Sequence, residues 1–346
     1  MKSILRPTSP GDLNVLRQFL ARSFDVDPGA PSLSPAAIAW KYWDRRDDWT
    51  DPRSYVLEKD GVIIAHAGIW PVTFGAGADG VRGLSMIDWA SAKESPGAGL
   101  VLVQKLAAMF DFIYSIGGSE MTCKVLPAFG FVEYRREWIG VRPLRPLRQI
   151  LTHQTRTWKL APRLIRNWWW AMPKGLSPWK NCKAVEILPQ EVSQDIYLSQ
   201  MADASFSPRP PDFFEYLLRC PVARFRLYGI VDGPELRGHF AIGVLRGQAR
   251  IAGVWMREPS HEAWAAAYFL ALQTALGLDG AYEIVAVGSE GTSRGGAAQA
   301  GFRIMQGPLV YMLDKKKKLA LSPEFQFQLS DDDRAFLDTG AASYWT

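Results

Sequence analysis

Cysteine is scarce in this chain, with three among 346 residues, at positions 123, 182 and 220. Three widely spaced thiols frame neither a disulfide scaffold nor a zinc site, so they are predicted to be buried and reduced. Histidine is as sparse, with four residues and no pair at metal-ligand spacing. No Gly-x-Ser-x-Gly elbow is present, and Cys123 has no histidine near it in sequence. Zinc hydrolases, serine hydrolases and cysteine nucleophiles are thereby disfavoured as classes. No apolar run is long enough to span a bilayer, and Lys2, Arg6 and Pro7 interrupt the start where a secretory leader would need an apolar core. A cytoplasmic protein is the expectation. Acidic residues are missing from 140 to 181, and that gap marks a boundary in the chain.

The hydrophobic content of 48% can fill two cores, as the length suggests, and the net charge of +5 is modest. The informative stretch is 83–131. It reads as a strand at 84–90, a Pro/Gly loop at 94–99, a helix at 100–110, a strand at 112–116, and a helix entered through Gly117-Gly118-Ser119 and closed by Gly130-Phe131. Pro96-Gly97-Ala98-Gly99 carries no bulk where a helix begins. Exposed N–H groups and the positive helix end suit such a place to a phosphate or diphosphate, although an ordinary tight turn has the same composition.

Upstream, 3–6 reads as a strand and Ser9-Pro10-Gly11-Asp12 as the entry to a helix carrying Leu13, Leu16, Phe19, Leu20 and Phe24. Pro35 opens a second helix with Ile38, Trp40, Tyr42 and Trp43. A hairpin follows, 55–58 and 62–74, joined by Lys59-Asp60-Gly61 and carrying His66 on its second arm. Strand, two helices, three antiparallel strands, helix, strand, helix, strand: over residues 1–142 this order resembles the GNAT superfamily of acyl-CoA-dependent N-acyltransferases. The loop lines up with the end of that family's Gln/Arg-x-x-Gly-x-Gly/Ala signature, with Glu94 standing where Gln or Arg is usual. The resemblance implies an acetyl-CoA or other acyl-CoA site in which Pro96, Gly97, Ala98 and Gly99 hold the diphosphate and Trp89 and Ala90 run beside pantetheine.

Residues 143–182 read as a basic linker with at most short helices, because proline recurs at 143, 146, 162, 173 and 178. Nine cations, from Arg142 to Lys180, mix with Trp158, Trp168, Trp169, Trp170 and Trp179. An arm packed over the domains, a contact with an anionic membrane through Trp168, Trp169 and Trp170, and a polyanion site are the three readings, with nucleic acid the least favoured. Beyond it the pattern starts again. Asp232-Gly233 answers Asp60-Gly61, Trp255 answers Trp89, Gly288-Ser289-Glu290 answers Gly118-Ser119-Glu120, and Gly301-Phe302 answers Gly130-Phe131, all at nearly one offset. The prediction is an α+β protein of two tandem GNAT-like domains, each a mixed, mostly antiparallel sheet flanked by helices, at 1–142 and 183–318, with a tail at 319–346. The second copy has Glu258-Pro259-Ser260-His261 in place of the glycine loop, so it is expected to hold no cofactor and to shape a wall of the acceptor cleft. A helix at 192–206 and solvated charge runs at 315–318 and 331–333 complete the reading, with too few spaced ligands for a metal.

Acyl transfer to an amine needs a donor for the developing oxyanion and a group to take the amine proton. Asp88, a carboxyl inside an apolar strand, is the first candidate base, with paired burial the equal alternative. Glu120 and Ser119 are further candidates, though helix capping explains both. His66 reads as a satisfied core histidine more readily than as a catalyst. The family resemblance implies a tyrosine acid where this chain has Leu126, and Tyr114 could stand in for it. By resemblance to tandem bacterial proteins of surface polysaccharide metabolism, the acceptor is a small amine such as an amino sugar. The alternatives are a catalytically silent GNAT-like scaffold at the inner face of a membrane and a Fem-like aminoacyl transferase.

Overall fold

The computed structural model describes residues 3–74, 81–152, 160–172, 177–192, 207–289, 291–317, 325–338 and 344–346. In chain order the elements are β1 (Ile4–Pro7), α1 (Leu13–Phe24), α2 (Pro35–Tyr42), β2 (Ser54–Lys59), β3 (Val62–Phe74), β4 (Val81–Ser91), α3 (Ala98–Met109), β5 (Phe112–Ile116), α4 (Glu120–Val125) and β6 (Val132–Pro143). They continue with α5 (Pro146–Leu151), α6 (Leu160–Ala171), β7 (Cys182–Glu186), α7 (Pro211–Leu218), β8 (Arg224–Asp232), β9 (Glu235–Leu245), β10 (Gln248–Met256), α8 (His261–Gly277), β11 (Glu283–Gly288), α9 (Thr292–Gln299) and β12 (Arg303–Leu313). The helix expected at 192–206 falls, apart from Val192, outside the described residues.

Two compact units divide the chain. The first comprises Met1–Arg135, Pro308–Pro323 and Asp331–Asp333, and the second Arg136–Gly307, Glu324–Ser330 and Arg334–Thr346. In the first, the strand order is β1-β2-β3-β4-β5-β12, antiparallel except for β4 and β5. In the second it is β7-β8-β9-β10-β11-β6, antiparallel except for β10 and β11. The two copies therefore share one plan, but the units are not the contiguous spans 1–142 and 183–318. Each sheet is closed by the last strand of the other copy: Val310 pairs with Ile116 in the first unit, and Trp138 with Gly288 in the second.

Local chemistry explains the elements. Ser9 and Asp12 form a capping box ahead of α1, and Arg6 grips both Asp12 oxygens at 2.9 and 3.0 Å. Ser34 caps α2 by accepting from the Ala37 N–H, with Pro35 at the first helical position. Asp60 and Gly61 turn the β2–β3 hairpin with positive φ at both positions, as a two-residue type I′ turn requires. The apolar face of α3 (Leu102, Val103, Leu106) packs with Ile69, Leu84 and Ile113 into the core of the first unit. In the second unit α8 buries Trp264, Tyr268 and Ala271 against Ile242, Ile251 and Ile284.

Three expectations are corrected. Residues 143–182 are not a linker; α5 and α6 belong to the second unit, and α6 runs 12 residues because Pro162 sits in its first turn, where no N–H partner is lost. The charge run at 331–333 is not a solvated face, since Asp331 and Asp332 are buried. The Gly288-Ser289-Glu290 anchor is out of step: Ser119 caps α4 directly, whereas Gly288 ends β11 and α9 starts at Thr292. Of the cysteines, Cys220 is buried and Cys123 and Cys182 are half-buried, all three as free thiols.

Candidate active site

Strands β4 and β5 pair in parallel only through Gly83–Phe112, Leu84–Ile113 and Ser85–Tyr114. β4 then runs on to Ser91 and β5 to Ile116, so their facing edges part and leave a wedge in the first unit. Next to it β4 carries a bulge. Opposite Ala67 of β3 the ladder passes from Ala90 to Ile87, so Asp88 and Trp89 share one partner position, and Asp88 takes φ +48°. Such a backbone is uncommon for a residue with a side chain, and Asp tolerates it better than most.

A set of polar side chains holds this bulge. The Asp88 carboxylate accepts from Lys41 Nζ at 2.5 Å and from the Tyr42 hydroxyl, both supplied by the end of α2. Burial pushes the carboxyl upward, but the Lys41 charge and the two hydrogen bonds outweigh it and leave Asp88 below the usual range, hence ionised. Burial and the Asp88 charge raise the Tyr42 hydroxyl well above its ordinary value, so it stays a donor. From the other side His66 Nδ1 lies 2.9 Å from the Asp88 carbonyl. A carbonyl only accepts, so Nδ1 carries the proton and Nε2 accepts from Ser54 Oγ at 2.9 Å. Ser54 Oγ accepts from Thr8 Oγ1, which accepts from Trp43 Nε1. Every donor in this chain points toward the bulge. Burial lowers His66 to about 4, which keeps it neutral and the relay intact.

Below the wedge lies the start of α3. Gly97 is its N-cap at φ +84°, no side chain caps it, and a Cβ there would meet nothing within 4 Å. The Ala98 N–H bonds Ser95 O, and those of Leu100 and Val101 bond Gly97 O. The amides of Gly97 and Gly99 meet no acceptor among the described residues. Trp89 Nε1 donates to Gly99 O at 3.0 Å, tying the bulge to the loop. The residues present fit a diphosphate: an uncapped helix start, two amides without acceptors among the described residues, and open space at the exposed Gly97, with Gly99 buried against Trp89. Glu94 is exposed.

Other predicted site residues have partners of their own. Tyr114 is fully buried and its hydroxyl donates to the Asp331 carbonyl. Ser119 caps α4 by accepting from the Thr122 N–H at 3.1 Å, and the exposed Glu120 pairs with Lys124. Leu126 is buried in the core. Lys41 and Tyr42 were missed as site residues; a carboxyl in an apolar strand needs a cation, and that demand was the signal.

The second unit carries the same frame with its places filled. β10 and β11 pair only through Gln248–Glu283, Ala249–Ile284 and Arg250–Val285. Residues 325–330 supply the filling: Gln328 accepts from the Val254 N–H at 2.9 Å and donates to the Val254 carbonyl at 2.8 Å, while the Phe327 N–H donates to Ser289 Oγ. A Cβ on Gly253 would stand 2.7 Å from Gln328 Oε1, so the close approach depends on that glycine. At α8 the Ser260 side chain caps the helix from Ala263 N–H, and Gly295 and Gly296 of α9 lie against His261 and Trp264. Gln328→Ala should cost about 1–3 kcal/mol in denaturant unfolding of the second unit, because Val254 keeps two buried polar groups without partners; no measurable loss would mean that water replaces the amide.

No protein-family model and no curated protein matches the chain. Solved structures do. A protein of Enterococcus faecalis V583 described as a probable N-acyltransferase superposes with TM-score 0.56 at 11% identity, over 92% of this chain and 74% of that one. A GCN5-related N-acetyltransferase from Anabaena variabilis ATCC 29413 gives TM-score 0.56 at 12% identity, over 90% and 73%. A tandem GNAT protein from the clavulanic acid biosynthesis pathway gives 0.55 at 11%, over 90% and 98%. At such identities the likeness is one of fold, and the fold is that of the GCN5-related N-acetyltransferases, built twice along this chain.

Proposed function

We propose that this protein is an acyl-CoA-dependent N-acyltransferase whose first unit alone holds the acyl carrier. The observation that carries the reading is the contrast at the two helix starts: α3 is uncapped, with the amides of the exposed Gly97 and the buried Gly99 lacking acceptors among the described residues beside a bulged strand, whereas α8 is capped by Ser260 and its wedge is filled by Gln328.

In this reading Gly97, Ala98 and Gly99 hold the diphosphate, Pro96 shapes the loop, and Trp89 and Ala90 align the extended arm. The carrier supplies an activated acyl group, acetyl in the simplest case. The bulge at Asp88 and Trp89 takes backbone out of the ladder, which leaves an N–H for the carbonyl oxygen as charge develops there. Asp88 acts as an ionised anchor that keeps the bulge in shape. Glu120, tied only by an exposed pair with Lys124 worth a few tenths of a kcal/mol, is the carboxylate available to take the amine proton. The acceptor is a small amine, and an amino sugar is the class proposed.

Acetyl-CoA at about 100 times its Kd should stabilise the protein by about 2.7 kcal/mol in thermal unfolding. Gly97→Trp should abolish the gain, since the indole would project into the open space above the loop; the side chain at φ +84° costs about 1–2 kcal/mol, so the variant's own melting temperature is the reference for the shift. Absence of any stabilisation by acyl-CoA would overturn the reading. The engagement of Asp88 by Lys41, and of Tyr114 by Asp331, favours a second one, a carrier-binding protein without turnover. Acetyl-CoA binding with no thiol released in the presence of glucosamine or other small amines would select it.

A further inference from the structure

Helix α6 is amphipathic in the reverse sense. The residue it buries is polar: Asn167 donates to Gln149, which donates to Glu283 and to Thr346, and Arg163 bonds the Thr346 carbonyl at 2.5 Å. Its apolar stripe faces outward. Ile165, Trp168, Trp169 and Met172, spaced i, i+3, i+4 and i+7, are 74, 60, 67 and 44% exposed, and α5 adds the exposed Leu147 and Leu151. Trp170 differs from its neighbours, being half-buried between the guanidinium groups of Arg166 and Arg303. Burying two tryptophans and four aliphatic side chains would be worth several kcal/mol, so leaving them in water is a cost the fold has not relieved.

We propose that this face docks on an anionic lipid surface. The occupant follows from the charges around the stripe. Arg148 and Arg166 are exposed beside it, and no acidic residue occurs from 140 to 181. A second copy meeting the same face would bring these cations together and pair none of them. A nucleic acid would accept the arginines and stack on the tryptophans, but would leave Leu147, Leu151, Ile165 and Met172 against phosphate and water. A bilayer interface satisfies all of them: aliphatic groups at the acyl boundary, indoles at the headgroup level, guanidinium groups at the phosphates. The helix lies along the surface, because no helix among the described residues is long and apolar enough to cross a membrane.

The test is co-sedimentation of the full chain with vesicles. The protein should pellet with phosphatidylglycerol and phosphatidylcholine in equal parts, less with phosphatidylcholine alone, and less at high salt. Trp168→Ser/Trp169→Ser should lower the partition coefficient by about tenfold or more at unchanged far-UV circular dichroism and melting temperature. Wild-type protein remaining in the supernatant, or a double variant that pellets equally well, overturns the proposal. So does a concentration-dependent dimer in sedimentation velocity that the double variant abolishes, or equally tight tRNA binding lost in the same variant. The assay contains no acyl donor, so its failure leaves the acyltransferase reading standing.

Discussion

Lys41→Met should destabilise the first unit by about 3–5 kcal/mol, the usual cost of removing one partner from a buried ion pair. The expectation rests on geometry. The Lys41 side chain is 3% exposed and that of Asp88 12%, they meet at 2.5 Å, and no other cation bonds the carboxylate among the described residues. Methionine fills the same volume and removes the charge, leaving the Asp88 carboxyl without its cation in a site from which water is largely excluded, so that it either stays charged with only the Tyr42 hydroxyl to support it or takes up a proton at a cost. Asp88→Asn in the same chain should restore most of the loss, because asparagine also tolerates the left-handed backbone and needs no cation. Urea unfolding of the two variants decides it. A loss below about 1 kcal/mol for Lys41→Met would mean the pair is solvated, as surface pairs are, and that the bulge does not depend on it.

Acidification should weaken both units well above the range where carboxylates titrate. Burial lowers His66 and His239 from 6.5 to about 4. Below 6.5 the unfolded chain therefore binds a proton at each position that the folded chain refuses, and stability falls as the pH drops from 6.5 toward 4. Each histidine removes about 3 kcal/mol across that window, His66 from the first unit and His239 from the second. Asp88 acts in the same direction in a lower window: its folded value is depressed, so its contribution is present above 3.8 and disappears below it. The urea midpoint should thus decline between pH 7 and 4.5, and His66→Gln should flatten the share belonging to the first unit. A midpoint constant down to pH 4.5 would show that water or a counter-charge reaches both rings.

Much of the frame was legible because its signals are local. Asp60-Gly61 specifies a hairpin, Gly97 a helix start that no side chain caps, and Gly130 and Gly301 close short helices at φ +86° and +88°. The pairing of Lys41 with Asp88 was not, since the two are 47 residues apart and a lysine on a helix ordinarily reads as a surface cation. Prolines misled the reading of α6, where position within the first turn matters more than the count. The insertion of Gln328 beside Val254 left no trace in hydropathy, because a polar tail residue looks alike whether it meets water or a strand edge. Exchange of the closing strands was equally invisible: β6 and β12 carry similar apolar patterns, and pattern selects a face of a sheet, never which copy provides the strand.

That exchange sets a timetable for biosynthesis. The edge of β5 near Ile116 waits for Val310, roughly 200 residues later, and ribosomes adding 5–20 residues per second need about 10–40 s to deliver it. Through that interval a nascent chain carries an unpaired strand edge, the kind of surface that recruits neighbouring polypeptides. Slow translation should therefore favour aggregation of this protein more than it would for two domains strung end to end.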